Sequence, residues 1–272
     1  MNTQKIYPSL AQSWGITGIT ILCMILFTPI NMILIPVMGK EYAMLTYYIL
    51  TMGVAFFIAH LIRKNETQLK HYPLNINRPE LLPLIIFGAL GLVFGIVNPI
   101  GNLIPMPDLF KEMFKELASL NGFGAFAMMV IAAPLFEELI FRGIILDGML
   151  KRYSPAKAIF WSSFLFGFVH LNPWQFVTGL VIGAFIGWVY YRTRSLSISM
   201  IIHAAVNGTS FFLKFLMDEE AMLDQSFAES FGGITNAILV TGGAIVVAVV
   251  CILLLKRQFG DNELFENKQP EL

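Results

Sequence analysis

Eight apolar stretches dominate this chain, each long enough, or nearly long enough, to cross a lipid bilayer. They cover residues 16–38, 43–62, 80–97, 122–150, 156–169, 174–191, 196–216 and 234–255. A spanning helix needs about 20 predominantly apolar residues. Helices are favoured there because backbone N–H and C=O groups in hydrocarbon must bond within the segment. The fifth stretch is short for a span, and the fourth is long enough to tilt or to emerge at one end. Composition agrees: 56% of the 272 residues are apolar and only 13% are charged, where a soluble domain carries about 25% charged residues. The expected fold is therefore all-α, a polytopic membrane bundle of about eight transmembrane helices. It forms a single integral membrane domain over residues 1–272, with no soluble domain and no internal repeat. The first apolar run is too long for a signal-peptide core and lacks a small-x-small exit, so it reads as a retained span.

Loop charge tests that count. Lys and Arg concentrate on the cytoplasmic side of membrane proteins. Arg63, Lys64, Lys70 and Arg78 separate the second and third stretches, and Lys151, Arg152 and Lys157 lie around the junction of the fourth and fifth. Arg192 and Arg194 separate the sixth from the seventh, and Lys256 and Arg257 follow the eighth. Every second connection is basic. The longest alternate connection is acidic, with Asp218, Glu219, Glu220, Asp224 and Glu229. This pattern predicts an integral multi-pass membrane protein with both termini cytoplasmic; the expected location is the cell membrane. A formal net charge of zero argues against nucleic acid as a partner. Cys23 and Cys251 sit in apolar runs and read as packing residues. Residues 108–121 place Leu109, Phe110, Met113, Phe114 and Leu117 at helical spacing between charges. That pattern predicts a short amphipathic helix at the outer interface, a connector in preference to a lid.

Ionisable groups at bilayer depth are expensive and are functional candidates by default. The fourth stretch contains Ala133-Pro134-Leu135-Phe136-Glu137-Glu138-Leu139-Ile140-Phe141-Arg142. Glu138 and Arg142 are four apart and share a helix face. Glu137 points about 100° away. One carboxyl is thus neutralised by the arginine while its neighbour stays free for general acid–base work. Pro134 removes a backbone donor one turn earlier and predicts a kink. A lone Glu–Arg pair could be purely structural; the second carboxyl points to chemistry.

Two further clusters carry imidazoles. The fifth stretch ends in Phe166-Gly167-Phe168-Val169-His170. A histidine at a helix end is more often a satisfied polar residue than a ligand, and simple depth counting places His170 nearer the outer face than Glu137. A short fifth helix whose outer turn is sunk below the lipid surface removes that difficulty. The seventh stretch places His203 and Asn207 on one face at i, i+4, where both can reach one oxygen; an interhelical polar clamp is the alternative. Gly179, Gly183 and Gly187 in the sixth stretch make a small-xxx-small face for close helix packing.

Glu137-Glu138-x-x-x-Arg142, Phe166-x-x-x-His170 and His203-x-x-x-Asn207, in that order, resemble the three motifs of the CPBP family: the CAAX-protease and bacteriocin-processing proteins, also called type II CAAX endopeptidases or Abi proteins. The resemblance covers about 70 residues within a core at 122–216 and says little about the first three stretches. It implies an intramembrane endopeptidase acting on a membrane-associated peptide or protein, with Glu137, His170, His203 and Asn207 catalytic around a water-filled cavity. Glu137 would be the catalytic carboxylate, His170 would hold the attacking water, and His203 and Asn207 would steady the oxyanion. Glu138, Arg142 and Phe166 would support them.

Two chemistries fit these residues. In one, which the sequence favours, Glu137 and His170 activate water without a cofactor. In the other, zinc sits on Glu137, His170 and His203 with water in the fourth position; the chain lacks His-Glu-x-x-His. Two other function classes stay open. One is a non-catalytic membrane protein that binds a peptide, such as an immunity factor or scaffold. The other is a proton-coupled secondary transporter, which an inverted repeat would support.

Overall fold

The computed structural model describes residues 5–216 and 227–260. The acidic residues Asp218, Glu219, Glu220 and Asp224 lie outside the described residues. Helix is the regular secondary structure throughout the described residues. The helices are α1 (Leu10–Met38), α2 (Lys40–Thr67), α3 (Pro79–Leu103), α4 (Asp108–Ala118), α5 (Phe123–Leu150), α6 (Pro155–Phe168), α7 (Pro173–Thr193), α8 (Leu196–Leu213) and α9 (Ile234–Gly260). Seven of these, all but α4 and α6, are long and apolar enough to span a membrane by length and composition. The protein is an all-α polytopic membrane bundle. The fifth apolar stretch, α6, has 14 residues and so reaches about 21 Å, short of the roughly 30 Å hydrocarbon core.

Two clusters of buried side chains hold the bundle together. One joins α1, α2, α5 and α6 through residues such as Ile16, Met52, Ile140, Phe141, Ile144 and Phe166. The other joins α3, α7, α8 and α9 through residues such as Ile85, Ile182, Ile186, Ile202, Val206 and Leu255. Within a membrane the drive to pack is shape rather than exclusion of water, so small residues set the closest contacts. A Cβ added to Gly179 of α7 would come within 2.5 Å of the Gly167 Cα in α6. The predicted glycine face thus brings α6 and α7 together backbone to backbone.

Polar contacts tie each end of the bundle. At the basic end Arg63 donates to the carbonyls of Leu69 and His71, and Leu196 N donates to Pro73 O. The connection between α2 and α3 therefore straps the start of α8. At the opposite end the Glu41 carboxylate accepts from the Asn121 and Gly122 backbone N–H groups, and Lys40 pairs with Glu116. The amphipathic α4 forms where its heptad-like pattern predicts it. Phe110 and Phe114 lie against the Trp174 ring, and Trp174 donates to Ile104 O.

The helix α5 departs from a regular α-helix. It widens into π turns over Ala127–Ala132 and Phe141–Leu146, with an α-helical stretch, Ala133–Ile140, between them. The irregularity predicted at Pro134 takes the form of a wide turn ending just before it. Such turns recur at functional sites because they re-aim side chains and carbonyls.

Candidate active site

Glu137 and Glu138 lie on the α-helical stretch of α5 and face different partners. Glu138 is fully buried. Its Oε1 accepts from Arg142 Nη1 at 2.8 Å and lies 2.9 Å from His203 Nδ1. Arg142, also fully buried, donates through Nη2 to Gly183 O at 3.2 Å and stacks over the Phe166 ring at 4.4 Å. Gly183 makes that approach possible: a Cβ there would sit 3.1 Å from Arg142 Nη2 and 3.2 Å from the Phe166 ring. A buried pair costs desolvation that only good geometry and extra hydrogen bonds offset. Here three helices supply those extra contacts.

Glu137 turns the other way. Its Oε1 accepts a hydrogen bond from the Tyr48 hydroxyl of α2 at 2.5 Å, and its Oε2 lies 3.7 Å from His203 Nε2. His203 thus lies between the two adjacent carboxylates, with Nδ1 at hydrogen-bond distance from Glu138 and Nε2 facing Glu137 from farther away. Facing a carboxylate at hydrogen-bond distance, His203 Nδ1 carries a proton.

His170 follows the end of α6. That helix stops because Leu171 takes a left-handed conformation, φ 56°, and because Asn172 caps α7 by accepting from Gln175 N, with Pro173 in the first turn. Asn172 also donates to His170 O, and His170 Nδ1 lies 2.8 Å from Phe166 O. A carbonyl accepts only, so in the neutral ring the proton sits on Nδ1 and Nε2 is the acceptor. Asn207, one turn beyond His203 on α8, donates to Met129 O at 2.9 Å, a carbonyl within the first wide turn of α5.

Glu137, His170, His203 and Asn207 line one cavity of about 350 Å³. It opens where the two buried clusters meet, with Met52 and Phe166 from one and Ile182, Ile186 and Val206 from the other. The short α6 ends at the cavity that Glu137 of α5 also lines, so the depth mismatch expected for His170 does not keep the two apart. Glu138 and Arg142 stand behind the cavity wall. Leu117 of α4 reaches its lining, so the amphipathic helix touches the cavity as well as connecting α3 to α5. Ser162 and Ser163 donate to the carbonyls of Phe141 and Ile159, which are structural contacts. Cys23 and Cys251 are free and buried.

Among the described residues no group of three His, Cys, Asp or Glu side chains is clustered closely enough to hold a metal ion. Glu137, His170 and His203 share the cavity without forming a ligand set. Tyr48 is a site residue that the sequence did not reveal; tyrosine is ordinary in membrane helices, and its contact with Glu137 joins residues 89 apart in the chain.

Fold and cavity together define a polytopic helical membrane protein with a buried Glu/His/Arg centre. Residues 119–209, from the end of α4 through most of α8, match the family described as type II CAAX prenyl endopeptidase Rce1-like. The match takes in all three motif-bearing segments, so this part of the chain is similar to the Rce1-like family. The chain is also similar to the UPF0177 protein YxdF of Lactococcus lactis subsp. lactis (strain IL1403), with 35% identity over 78 residues. That match covers 28% of this chain and 42% of the relative, so the chain spans less than half the length of that protein. No solved structure matches.

Proposed function

We propose that this protein is an intramembrane endopeptidase that hydrolyses a peptide bond of a membrane-associated protein or peptide with a water activated by Glu137 and His170. The observation that carries the reading is the convergence of Glu137, His170, His203 and Asn207, from two helices and one helix end, on a single cavity inside the membrane bundle. In this reading the attacking water donates one proton to Glu137 Oε2 while His170 Nε2 accepts from its other O–H. The water oxygen bonds to the scissile carbonyl carbon. The resulting oxyanion accepts hydrogen bonds from His203 Nε2–H and from the Asn207 amide. Glu137 then passes its proton to the leaving amine as the C–N bond breaks.

Charge balance supports these roles. Two carboxylates, Glu137 and Glu138, face one guanidinium, Arg142, so one further proton makes the buried cluster neutral. Placed on His203, that proton leaves Glu137 free as the base and arms Nε2 as an oxyanion donor. No step is routed through a metal. Zinc analysis of chelator-washed, active protein tests this: stoichiometric zinc would contradict it. In this reading the protein lies in the cell membrane with its basic end and both termini on the cytoplasmic side, which the distribution of Lys and Arg supports.

The test uses protein in proteoliposomes with a fluorogenic membrane-spanning peptide. Wild type is expected to cleave it, and Glu137→Gln, equally expressed and folded, to lose about 10²–10⁴-fold in rate. Full activity in that variant removes Glu137 as the base. Binding without turnover identifies a peptide-binding immunity or scaffold protein, and ion-coupled flux identifies a transporter.

A further inference from the structure

The α2 helix places two adjacent tyrosines at the level of the cavity, and they do different things. Tyr47 donates to Met24 O of α1 at 2.9 Å, a contact that fastens two helices. Tyr48, partly buried and lining the cavity beside Tyr47, donates its hydroxyl to Glu137 Oε1 at 2.5 Å. That length belongs to an O–H donor on a carboxylate, the stronger kind of hydrogen bond. A carboxylate is twofold symmetric about its terminal bond, and that torsion is soft. Left alone, Glu137 could turn either oxygen, or neither, toward the imidazole. With Oε1 held by Tyr48, Oε2 is the oxygen that faces His203 Nε2, 3.7 Å away. Oε2 is then the atom left to exchange a proton with water.

We propose that Tyr48 is a positioning residue: by holding Glu137 Oε1 it fixes the carboxylate plane and makes Oε2 the oxygen that takes the proton of the attacking water. The inference rests on the peptidase reading above and adds to it a residue from outside the matched segment 119–209. No atom of Tyr48 is transferred; its O–H stays intact throughout the cycle.

The test compares wild type, Tyr48→Phe, Tyr47→Phe and a protein carrying 3-fluorotyrosine at position 48, all in proteoliposomes with the same fluorogenic peptide. A hydrogen bond to a charged group sets the scale, so Tyr48→Phe is expected to lower kcat about 10- to 100-fold while KM stays within about twofold. A purely structural role would not produce that split. Tyr47→Phe is expected to leave kcat unchanged. The fluorotyrosine protein keeps the hydroxyl, and its more acidic donor is expected to change kcat at least about twofold; it decides the matter if Tyr48→Phe fails to fold. A second readout does not depend on turnover. The Glu137 carboxyl stretch, assigned by infrared subtraction of Glu137→Gln, is expected to move in Tyr48→Phe and to stay in place in Tyr47→Phe. Wild-type kcat in Tyr48→Phe, or an unmoved carboxyl band, overturns the inference. An active Glu137→Gln protein instead overturns the reading beneath it, whatever Tyr48→Phe does.

Discussion

Helices α1 and α5 are nearly equal in length, 29 and 28 residues, and both are apolar enough to span a membrane. Half of the most apolar stretch of α5 is buried inside protein, against 6% of that of α1. The serine and threonine side chains of α1 bond back to the helix itself. Thr17 donates to Ser13 O and Thr20 to Ile16 O, and Ser9 with Gln12 closes a capping box. The polar groups of α5 find partners on other helices: Glu137 on α2, Glu138 on α8, and Arg142 on α7 as well as on Glu138. Two prolines inside α1 leave it helical throughout, while α5 widens twice. A span that satisfies itself needs only lipid around it. A span that carries charge must be solved by the whole bundle, and its backbone bends to the solution.

If that contrast is right, substitutions in the two helices should differ sharply. The largest effect is expected for Arg142→Ala, which strands Glu138 without its cation in a buried site and should cost about 3–5 kcal/mol of stability. Thermal unfolding in lipid–detergent micelles measures it, and a near-neutral result would break the account of the buried pair. Gly179→Ala should come next. It forces a methyl group into the Gly167 backbone and should cost about 1–3 kcal/mol by overpacking, read as a lowered Tm. Smallest is Leu26→Ala on the exposed face of α1, where the side chain is 63% exposed to lipid. Its effect should stay within about 0.5 kcal/mol. A loss as large as that of Arg142→Ala would end the distinction between the two helices.

Much of this was legible in the sequence because membranes simplify the code. Apolar length located the spanning helices, and the i, i+4 spacing paired Glu138 with Arg142 and turned Glu137 aside. His170, His203 and Asn207 stood out because hydrogen-bonding side chains are few in those stretches. Other features had no sequence mark. The acceptor for Arg142 Nη2 is the carbonyl of Gly183, and a carbonyl belongs to every residue. The partner of Asn207 is likewise a carbonyl, of Met129, aimed by a wide turn that no local pattern announces. Tyr48 resembles any tyrosine of a membrane helix until α2 is packed against α5. The short α6 was visible as a short apolar run, but its consequence, bringing His170 to the cavity that Glu137 lines, needed the neighbouring helices.

The central claim is that one carboxylate, Glu137, in one shared cavity, breaks peptide bonds within the membrane. Mass spectrometry of membrane peptides tests it most directly, comparing cells that express the intact protein with cells that express Glu137→Ala at the same level. New peptide ends at or near membrane-spanning segments should accompany the intact protein and vanish with the variant. The same new ends in both samples would contradict the claim.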